Sequence, residues 1–326
     1  MKILVTGASG FVGRAIVSEI GKENHEIFSL VGLKTRNEEN LPNVYRGNIA
    51  DSESLSELEE IENCETIIHS AGLAHQFGKT SDKQFWNVNV KGTENIARLA
   101  VKLKSKHFIL ISSVSVYGDV EKKGLIDETT VCNPQGIYAK SKFEAENIAR
   151  EICESNKITL TILRPATVIG ENDRGNTARL IEAIDRRRFI WIGNGENRKS
   201  LIYKQDVAKA CLKILEKKAS ETEIFNVTAE SVKMNFIVSE IEKTLQKKVP
   251  KFKISVPMLE KIFEANNKTI NIGKINNLRS TIEKWISEDG FSGKKILKKY
   301  GFRAETNIAE ALRRQVEYYK EKLKTE

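Results

Sequence analysis

The 326-residue chain is sparing with the residues that build metal and redox centres: four cysteines and four histidines. Cys64, Cys132, Cys153 and Cys211 are scattered, and no two are spaced Cys-x-x-Cys. That excludes a zinc ribbon or a dithiol redox motif and fits buried thiols in a reducing compartment. His25, His69, His75 and His107 have no ligand spacing, so no metal is expected. No Gly-x-Ser-x-Gly elbow occurs and the histidines fit no triad order, which sets a serine hydrolase aside. No apolar run is long enough to span a bilayer. The N-terminus runs straight into a strand, leaving no room for a signal peptide, so the expected location is the cytoplasm. There is no internal repeat and no low-complexity linker.

What is present suits a globular protein of one large domain or two unequal ones. Hydrophobic residues make up 40% of the chain, enough for a sizeable core, and charged residues 30%. The net charge is +9. Much of the excess lies late, at Lys247, Lys248, Lys251, Lys253, Lys294, Lys295, Lys298 and Lys299. No aromatic residues interleave these lysines as a stacking platform would require. They read as a solvated face, with neither a nucleic-acid partner nor a membrane span expected.

Strands and helices alternate through the first half. Strands are expected over 25–33, 66–72, 107–113 and 158–165, with helices over 52–61, 82–103 and 138–155. This is the βαβ rhythm of an α/β, doubly wound parallel sheet, whose ligands bind beyond the carboxyl ends of the strands. The rhythm loosens after Arg164. Helices are expected over 177–188, 205–218, 233–248 and 307–323, and strands over 200–203 and 223–228. Asn307 and Glu310 have the spacing of a capping box. The expected division is a dinucleotide-binding domain over 1–165 and a smaller α/β substrate lobe over 166–326, with some later segments returning to the main sheet.

The stretch "KILVTGASGFVGRAI" carries the first chemistry. An apolar strand (Ile3, Leu4, Val5) leads into Gly7, Gly10 and Gly13, evenly three apart, and helical spacing of apolar residues follows. A strand turning tightly into a helix aims backbone N–H groups and the positive end of the helix dipole at one spot, which suits a pyrophosphate. Glycine allows the turn, the close approach and the helix-on-strand packing.

The second chemistry is in "YAKSK", where Tyr138 and Lys142 stand one helical turn apart, with Ser113 ending a strand upstream. A phenol ordinarily holds its proton too tightly to exchange it at neutral pH. A nearby ammonium favours the phenolate, so Lys142 is expected to lower the Tyr138 value and make it a general acid or base. Ser113 can hydrogen-bond the reacting oxygen.

Taken together and in order, "TGASGFVG", "HSAGLAH", "NVNVKGT", "SSVSVYG", "YAKSK", "LRPATVIG" and "RKSLIYKQDVA" resemble the extended short-chain dehydrogenase/reductase family, in its nucleotide-sugar epimerase, dehydratase and reductase branch. The resemblance runs from Met1 to about residue 230. It implies a Rossmann-type fold and an NAD(P)-dependent enzyme. Gly7, Gly10, Phe11, Val12 and Gly13 would hold the dinucleotide pyrophosphate. Asn48 and Ile49 would flank the adenine, although relatives usually carry Asp where Asn48 stands. Ala71 and Gly72 would pass beneath the cofactor, and Asn89 would support the active-site helix. Ser113, Tyr138 and Lys142 would be the catalytic trio, with Lys142 also bonding the nicotinamide ribose. Pro165 and Ala166 would lie near the nicotinamide amide. A homodimer through the helices 82–103 and 138–155 is also implied.

Two departures from the family pattern matter. NAD-preferring relatives end the second strand with an Asp for the ribose hydroxyls, whereas Val31 stands here, followed closely by Lys34 and Arg36. The charge argument slightly favours NADP(H) over NAD(H). Sugar 4,6-dehydratases resemble one another in an Asp–Glu pair after the catalytic Ser/Thr. Val114 and Ser115 occupy those positions and cannot do that proton transfer.

On the substrate side the resemblance implicates His75, Ser113 and Thr167, with Arg174, Arg198 and Lys199 as cations for a diphosphate. Arg186 to Arg188 either join them or complement a helix C-terminus. The expected reaction moves hydride at a sugar carbon of a nucleotide sugar. It is either a 4-epimerization or a 4-keto reduction, and UDP-amino sugars of surface-polysaccharide pathways are the expected substrates. The alternative is a non-catalytic NAD(P) sensor of the same fold. Such relatives typically lose the Tyr–Lys pair that this chain keeps.

Overall fold

The structure is a computed structural model. It describes residues 1–36, 38–74, 81–119, 124–217, 219–250, 252–255, 257–258, 282 and 284–325. His75 and Lys251 therefore lie outside the described residues. The chain divides into two compact units. The first comprises Met1–Ala166, Lys204–Thr228 and Phe291–Glu305. The second comprises Thr167–Tyr203, Ala229–Gly290 and Thr306–Glu326.

The first unit is built on the strands β1 (Lys2–Thr6), β2 (Glu26–Val31), β3 (Val44–Arg46), β4 (Cys64–His69), β5 (His107–Ile111) and β6 (Thr159–Pro165). With the strand Glu223–Val227 they form one seven-stranded parallel sheet, in the order Glu223–Val227, β6, β5, β4, β1, β2, β3. The central strands are apolar on both faces because helices cover both, so Ile3, Leu4, Val5, Ile67, Ile68 and Phe108 are all fully buried. Each such side chain contributes about 1.5–3 kcal/mol by leaving water. The chain runs outward one way from β1 and the other way from β4. Their carboxyl ends therefore flank the point where a doubly wound sheet opens a crevice.

Helices α1 (Phe11–Ile20), α2 (Asp82–Phe85), α3 (Gly92–Lys102) and α4 (Gly136–Ser155) connect these strands. The expected single helix over 82–103 is α2 and α3 joined by a π-helical stretch, Trp86–Lys91. Ser81 and Gln84 begin α2 with a capping box. The wider π turn is a local feature that apolar periodicity does not encode, and it holds the buried Asn89. The expected helix over 52–61 is a 3-10 helix, Glu53–Glu60. Its two buried residues, Leu55 and Leu58, are three apart and eclipse one another on a three-residue turn. The lysine-rich 294–299 stretch lies in a helix, Lys294–Tyr300. There Lys299 pairs with Glu221 and Glu223, and Lys295 reaches the Ile224 carbonyl at 3.0 Å.

The second unit packs the helices Asn176–Asp185, Met234–Leu245 and Ile308–Thr325 around Ile181, Val238 and Leu312. Its strands come in short pairs: Thr167–Ile169 with Leu201–Tyr203, Arg198–Lys199 with Val232–Lys233, and Trp191–Ile192 with Lys253–Ile254. The Asn307 side chain caps the last helix by accepting the Ala309 N–H at 2.8 Å. Glu310, the other half of the expected capping box, pairs with Arg314. Among the described residues no helix is long and apolar enough to cross a membrane, and no cluster of His, Cys, Asp and Glu could hold a metal ion.

Candidate active site

At the end of β1, Gly7 adopts φ +66°, a conformation side chains disfavour. A Cβ there would stand 2.7 Å from the Ala71 backbone. A Cβ on Gly13 would overlap the Gly7 carbonyl, and one on Gly10 would stand 3.0 Å from that oxygen. Gly10 is the N-cap of α1, and no side chain caps that end. The first N–H groups of a helix have no partner within it, so the loop offers donors and room together. The triplet thus fits the phosphates of a dinucleotide.

The three residues expected to react meet at the carboxyl end of β5. Ser113 caps the 3-10 turn Val114–Tyr117, its Oγ accepting the Ser115 N–H at 3.1 Å. Tyr138 and Lys142 extend from the first two turns of α4. The Tyr138 phenol shares a hydrogen bond with Ser113, and its ring meets Phe85 edge-on at 6.3 Å. Lys142 is buried and donates to the Ile111 carbonyl at 2.6 Å. Burial lowers the Lys142 value to about 8, and the Glu146 carboxylate acts against that fall.

The expected depression of the Tyr138 value by Lys142 is corrected here. Burial pushes the phenol above its ordinary value, and the Ser113 hydrogen bond is what pulls it back. The Lys142 ammonium is engaged by the Ile111 carbonyl.

A buried relay ties the ends of β1 and β4 to α4. The Ala71 N–H donates to Thr6 Oγ1 (3.3 Å), and Thr6 Oγ1 meets His69 Nδ1 (2.6 Å). On the other side His69 Nε2 meets Thr93 Oγ1 (3.0 Å), which donates to the Asn89 carbonyl (2.6 Å). Thr93 has one hydroxyl proton and spends it on Asn89. His69 must therefore carry its proton on Nε2, and Nδ1 accepts from Thr6. Asn89 then donates to Ser141 Oγ (2.9 Å), and Ser141 to the Tyr138 carbonyl (2.8 Å). Asn89 also holds Leu73, which follows Ala71 and Gly72, through bonds of 2.7 and 3.1 Å. His69 and Thr93 were not expected at this site: they fall within "HSAGLAH" and "NVNVKGT", but neither was assigned a role there.

Burial lowers His69 from 6.5 to about 3, with Lys142 adding to the effect, and lowers His107 from 6.5 to about 4. In the unfolded chain each imidazole takes a proton as pH falls through about 6.5. In the folded chain neither does until near its lowered value. Folding stability should therefore fall progressively from about pH 6.5 toward pH 4 and below. A His107→Gln variant can keep a bond to Thr161, which His107 Nε2 meets at 2.9 Å. The difference in melting temperature between parent and variant should change in the variant's favour across that window. A difference that stays constant from pH 7 to 4 would show that His107 titrates alike in both states.

The other expected residues fall as follows. Val31 is buried at the end of β2, and Lys34 and Arg36 are exposed beyond it. Arg46, at the end of β3, reaches back to the Thr35 carbonyl (3.0 Å) and pairs with Glu38 (2.7 Å). Arg46 and Glu38 escaped the sequence reading because their strand and loop carry no motif. Asn48 is exposed, and its side chain accepts the Ala50 N–H at 3.1 Å. Ile49 is buried in the core, close enough to α3 that a Cβ on Gly92 would stand 2.7 Å from it. Pro165 ends β6, and the Ala166 N–H bonds the Val227 carbonyl at 2.9 Å.

In the second unit Thr167, Arg174 and Arg198 are exposed, with an Arg198 guanidinium N–H 3.3 Å from Ser231 Oγ. Lys199 differs from expectation. It is buried, bonded to Asp289 (2.6 Å), Ser287 (2.8 Å) and the Lys284 carbonyl, so its charge is spent inside its own unit. Arg186 stands at the C-cap of Asn176–Asp185 and pairs with Glu182 at 3.1 Å, as a helix-end cation does.

A glycine cradle before a helix, at the switch point of a parallel sheet, suits the phosphates of a dinucleotide. Residues 3–228, more than half the chain, match the model of the "NAD dependent epimerase/dehydratase family", and the chain belongs to that family. Over 260 residues it is 30% identical to the N-acetyl-alpha-D-glucosaminyl-diphospho-ditrans,octacis-undecaprenol 4-epimerase of Escherichia coli O157:H7, with 78% of this chain and 76% of that protein covered. It is 28% identical over 241 residues to the human dTDP-D-glucose 4,6-dehydratase, covering 69% and 68% of the two chains. Its fold is similar to that of UDP-glucuronic acid 4-epimerase from Bacillus cereus in complex with NAD, with a TM-score of 0.77, 21% identity, and 98% and 99% of the chains covered.

Proposed function

We propose that this protein is a 4-epimerase of a diphosphate-linked sugar, using a nicotinamide dinucleotide held at the glycine loop. The observation that carries the reading is the meeting of Ser113, Tyr138 and Lys142 at the carboxyl end of β5, with Ser113 beside the Tyr138 phenol and Lys142 anchored on Ile111. A bound nicotinamide supplies the acceptor and donor of hydride at the sugar carbon. The protein manages the proton. Tyr138 takes it from the sugar 4-hydroxyl at its phenolic oxygen and returns it after the sugar face has changed. Ser113 holds the reacting oxygen within reach. The positive ring of a bound nicotinamide would favour the phenolate, and Lys142, held by the Ile111 carbonyl, would bond the nicotinamide ribose.

Similarity to both an epimerase and a dehydratase leaves a choice, and Val114 and Ser115 support the former. Neither residue can supply the acid and base that removing water would need. The substrate class draws on the nucleotide-sugar resemblance and on the relative named for an undecaprenyl-diphosphate sugar. Both substrates share a sugar on a diphosphate. The test is a panel of UDP-, GDP- and dTDP-sugars, with N-acetylglucosaminyl diphosphoundecaprenol beside them, followed for change of the 4-configuration without net consumption of cofactor. Inversion of one member supports the reading. Stoichiometric oxidation of NADPH with a 4-keto sugar would replace it with a reductase.

Cofactor choice is a separate proposal. Without a carboxylate at Val31, and with Lys34 and Arg36 exposed nearby, the loop tolerates a ribose 2′-phosphate. Glu38 moderates this by neutralising Arg46. Exposed contacts of this kind are worth about 0.2–1 kcal/mol each, against about 1.4 kcal/mol per tenfold. NADPH should therefore bind more tightly than NADH by roughly two- to thirtyfold at low salt, and the gap should close as salt rises. Glu38→Gln should widen it. Tighter NADH binding at low salt would reverse the assignment.

A further inference from the structure

Two deeply buried charges of the first unit stand directly behind the candidate trio. Tyr138, Lys142 and Glu146 follow one another at four-residue intervals along α4, on one face. The Glu146 side chain is fully buried, and that of Arg164, on β6, is nearly so. Their pairing is bidentate, with Nη2 to Oε2 at 2.6 Å and Nε to Oε1 at 3.0 Å. The same Oε1 accepts the Ser112 hydroxyl. Arg164 also lies over the Tyr117 ring, 4.8 Å from its centre, and Tyr117 bonds Asn226 at 2.8 Å.

Ser112 joins the last residue of β5 to Ser113. The peptide between Ile111 and Ser112 is held at both ends. Its N–H donates to the Leu163 carbonyl at 2.7 Å, and its carbonyl receives the Lys142 ammonium at 2.6 Å. The Glu146–Ser112 bond adds a third anchor on the same residue. A buried ion pair is an expensive way to stabilise a fold, because desolvating both charges costs about as much as their attraction returns. This one is attached to the segment that sets where Lys142 and Ser113 stand.

We propose that Glu146, braced by Arg164, is a positioning residue for the reaction, fixing the Ile111–Ser112 peptide through Ser112 and thereby the places of the Lys142 ammonium and the Ser113 hydroxyl. This rests on the reading of Ser113, Tyr138 and Lys142 as the reacting centre. Glu146 also sustains the charge of Lys142 against burial. His69 on β4 also faces Lys142 and is kept neutral by burial.

Glu146→Gln keeps the shape of the side chain and removes its charge. It should lower kcat by roughly 10–10²-fold with KM changed less than about threefold, the pattern of lost positioning rather than lost binding. The midpoint for acetylation of Lys142, followed by mass spectrometry against pH, should move about 1 pH unit lower. Ser112→Ala leaves the ion pair intact and should lower kcat several-fold without moving that midpoint. Should Glu146→Gln not fold, a Glu146→Met/Arg164→Met double variant replaces the pair with apolar side chains. It should show the same kinetic loss and the same displaced midpoint. A folded Glu146 variant with parental kcat and an unmoved midpoint overturns the proposal. The labelling needs no turnover, so it reports on Glu146 even if Tyr138→Phe shows that the reacting centre lies elsewhere.

Discussion

Tyr138→Phe is expected to fold, to bind its dinucleotide like the parent, and to lose roughly 10²-fold or more in turnover, the scale of general acid–base catalysis. The substitution removes one oxygen. The ring keeps its edge contact with Phe85, and the backbone carbonyl of residue 138 still receives Ser141. The glycine loop belongs to β1 and α1, so nothing that forms the phosphate cradle is touched. What disappears is the hydroxyl proposed to carry the proton beside Ser113. Measured rates within a few-fold of the parent would take Tyr138 out of that role. A parent that binds dinucleotide but turns over no sugar in the panel would point instead to the sensor alternative. The retention of both Tyr138 and Lys142, with Lys142 held on Ile111, argues against that outcome.

The second large effect is expected at Gly10. Its backbone, φ −73° and ψ 173°, is one that any residue adopts, and a Cβ meets only the Gly7 carbonyl, at 3.0 Å. Gly10→Val should therefore fold, with its two methyl groups set before the uncapped end of α1. Dinucleotide affinity should drop by roughly 10²-fold or more, since a phosphate can no longer approach the N–H groups there. Gly13→Ala is the informative contrast. Its Cβ overlaps the Gly7 carbonyl, so the packing of α1 on β1 must give way and the melting temperature should fall before binding is measured. Titration of both variants with NAD and NADP, alongside melting curves, separates the two causes. Unchanged affinity in folded Gly10→Val would mean that the loop does not receive the phosphates.

The sheet was legible because it is written locally: apolar runs closed by small residues mark β1, β4 and β5. The expectation that Ser113, Tyr138 and Lys142 act together comes from the ordered motifs of the family resemblance, which the spacing of Tyr138 and Lys142 alone does not supply. Other features depend on partners distant in sequence. Lys199 reads as a cation for a diphosphate until Asp289 and Ser287, some ninety positions later, are seen to consume it. Arg46 sits on a three-residue strand too short to show alternation, and its meaning comes from Glu38 across a turn. The π stretch Trp86–Lys91 keeps the apolar spacing of a helix and hides the one extra residue per turn that accompanies the inward placement of Asn89. His69 looks like strand filler, and only the Thr6 and Thr93 hydroxyls disclose its tautomer.

The relay from Thr6 to Tyr138 also bears on how the chain acquires its competence. Its bonds join residues 63, 24 and 52 positions apart, and the Lys142 anchor closes a span of 31. Hairpin-like or single-helix nuclei can form none of these, since each requires a separate strand–helix module to have docked beside another. Ordering so many distant segments is the slow part of assembling a parallel sheet. The candidate site is therefore assembled from segments distant in sequence. A nascent chain released before α4 has docked can form the glycine loop but not the meeting of Ser113, Tyr138 and Lys142.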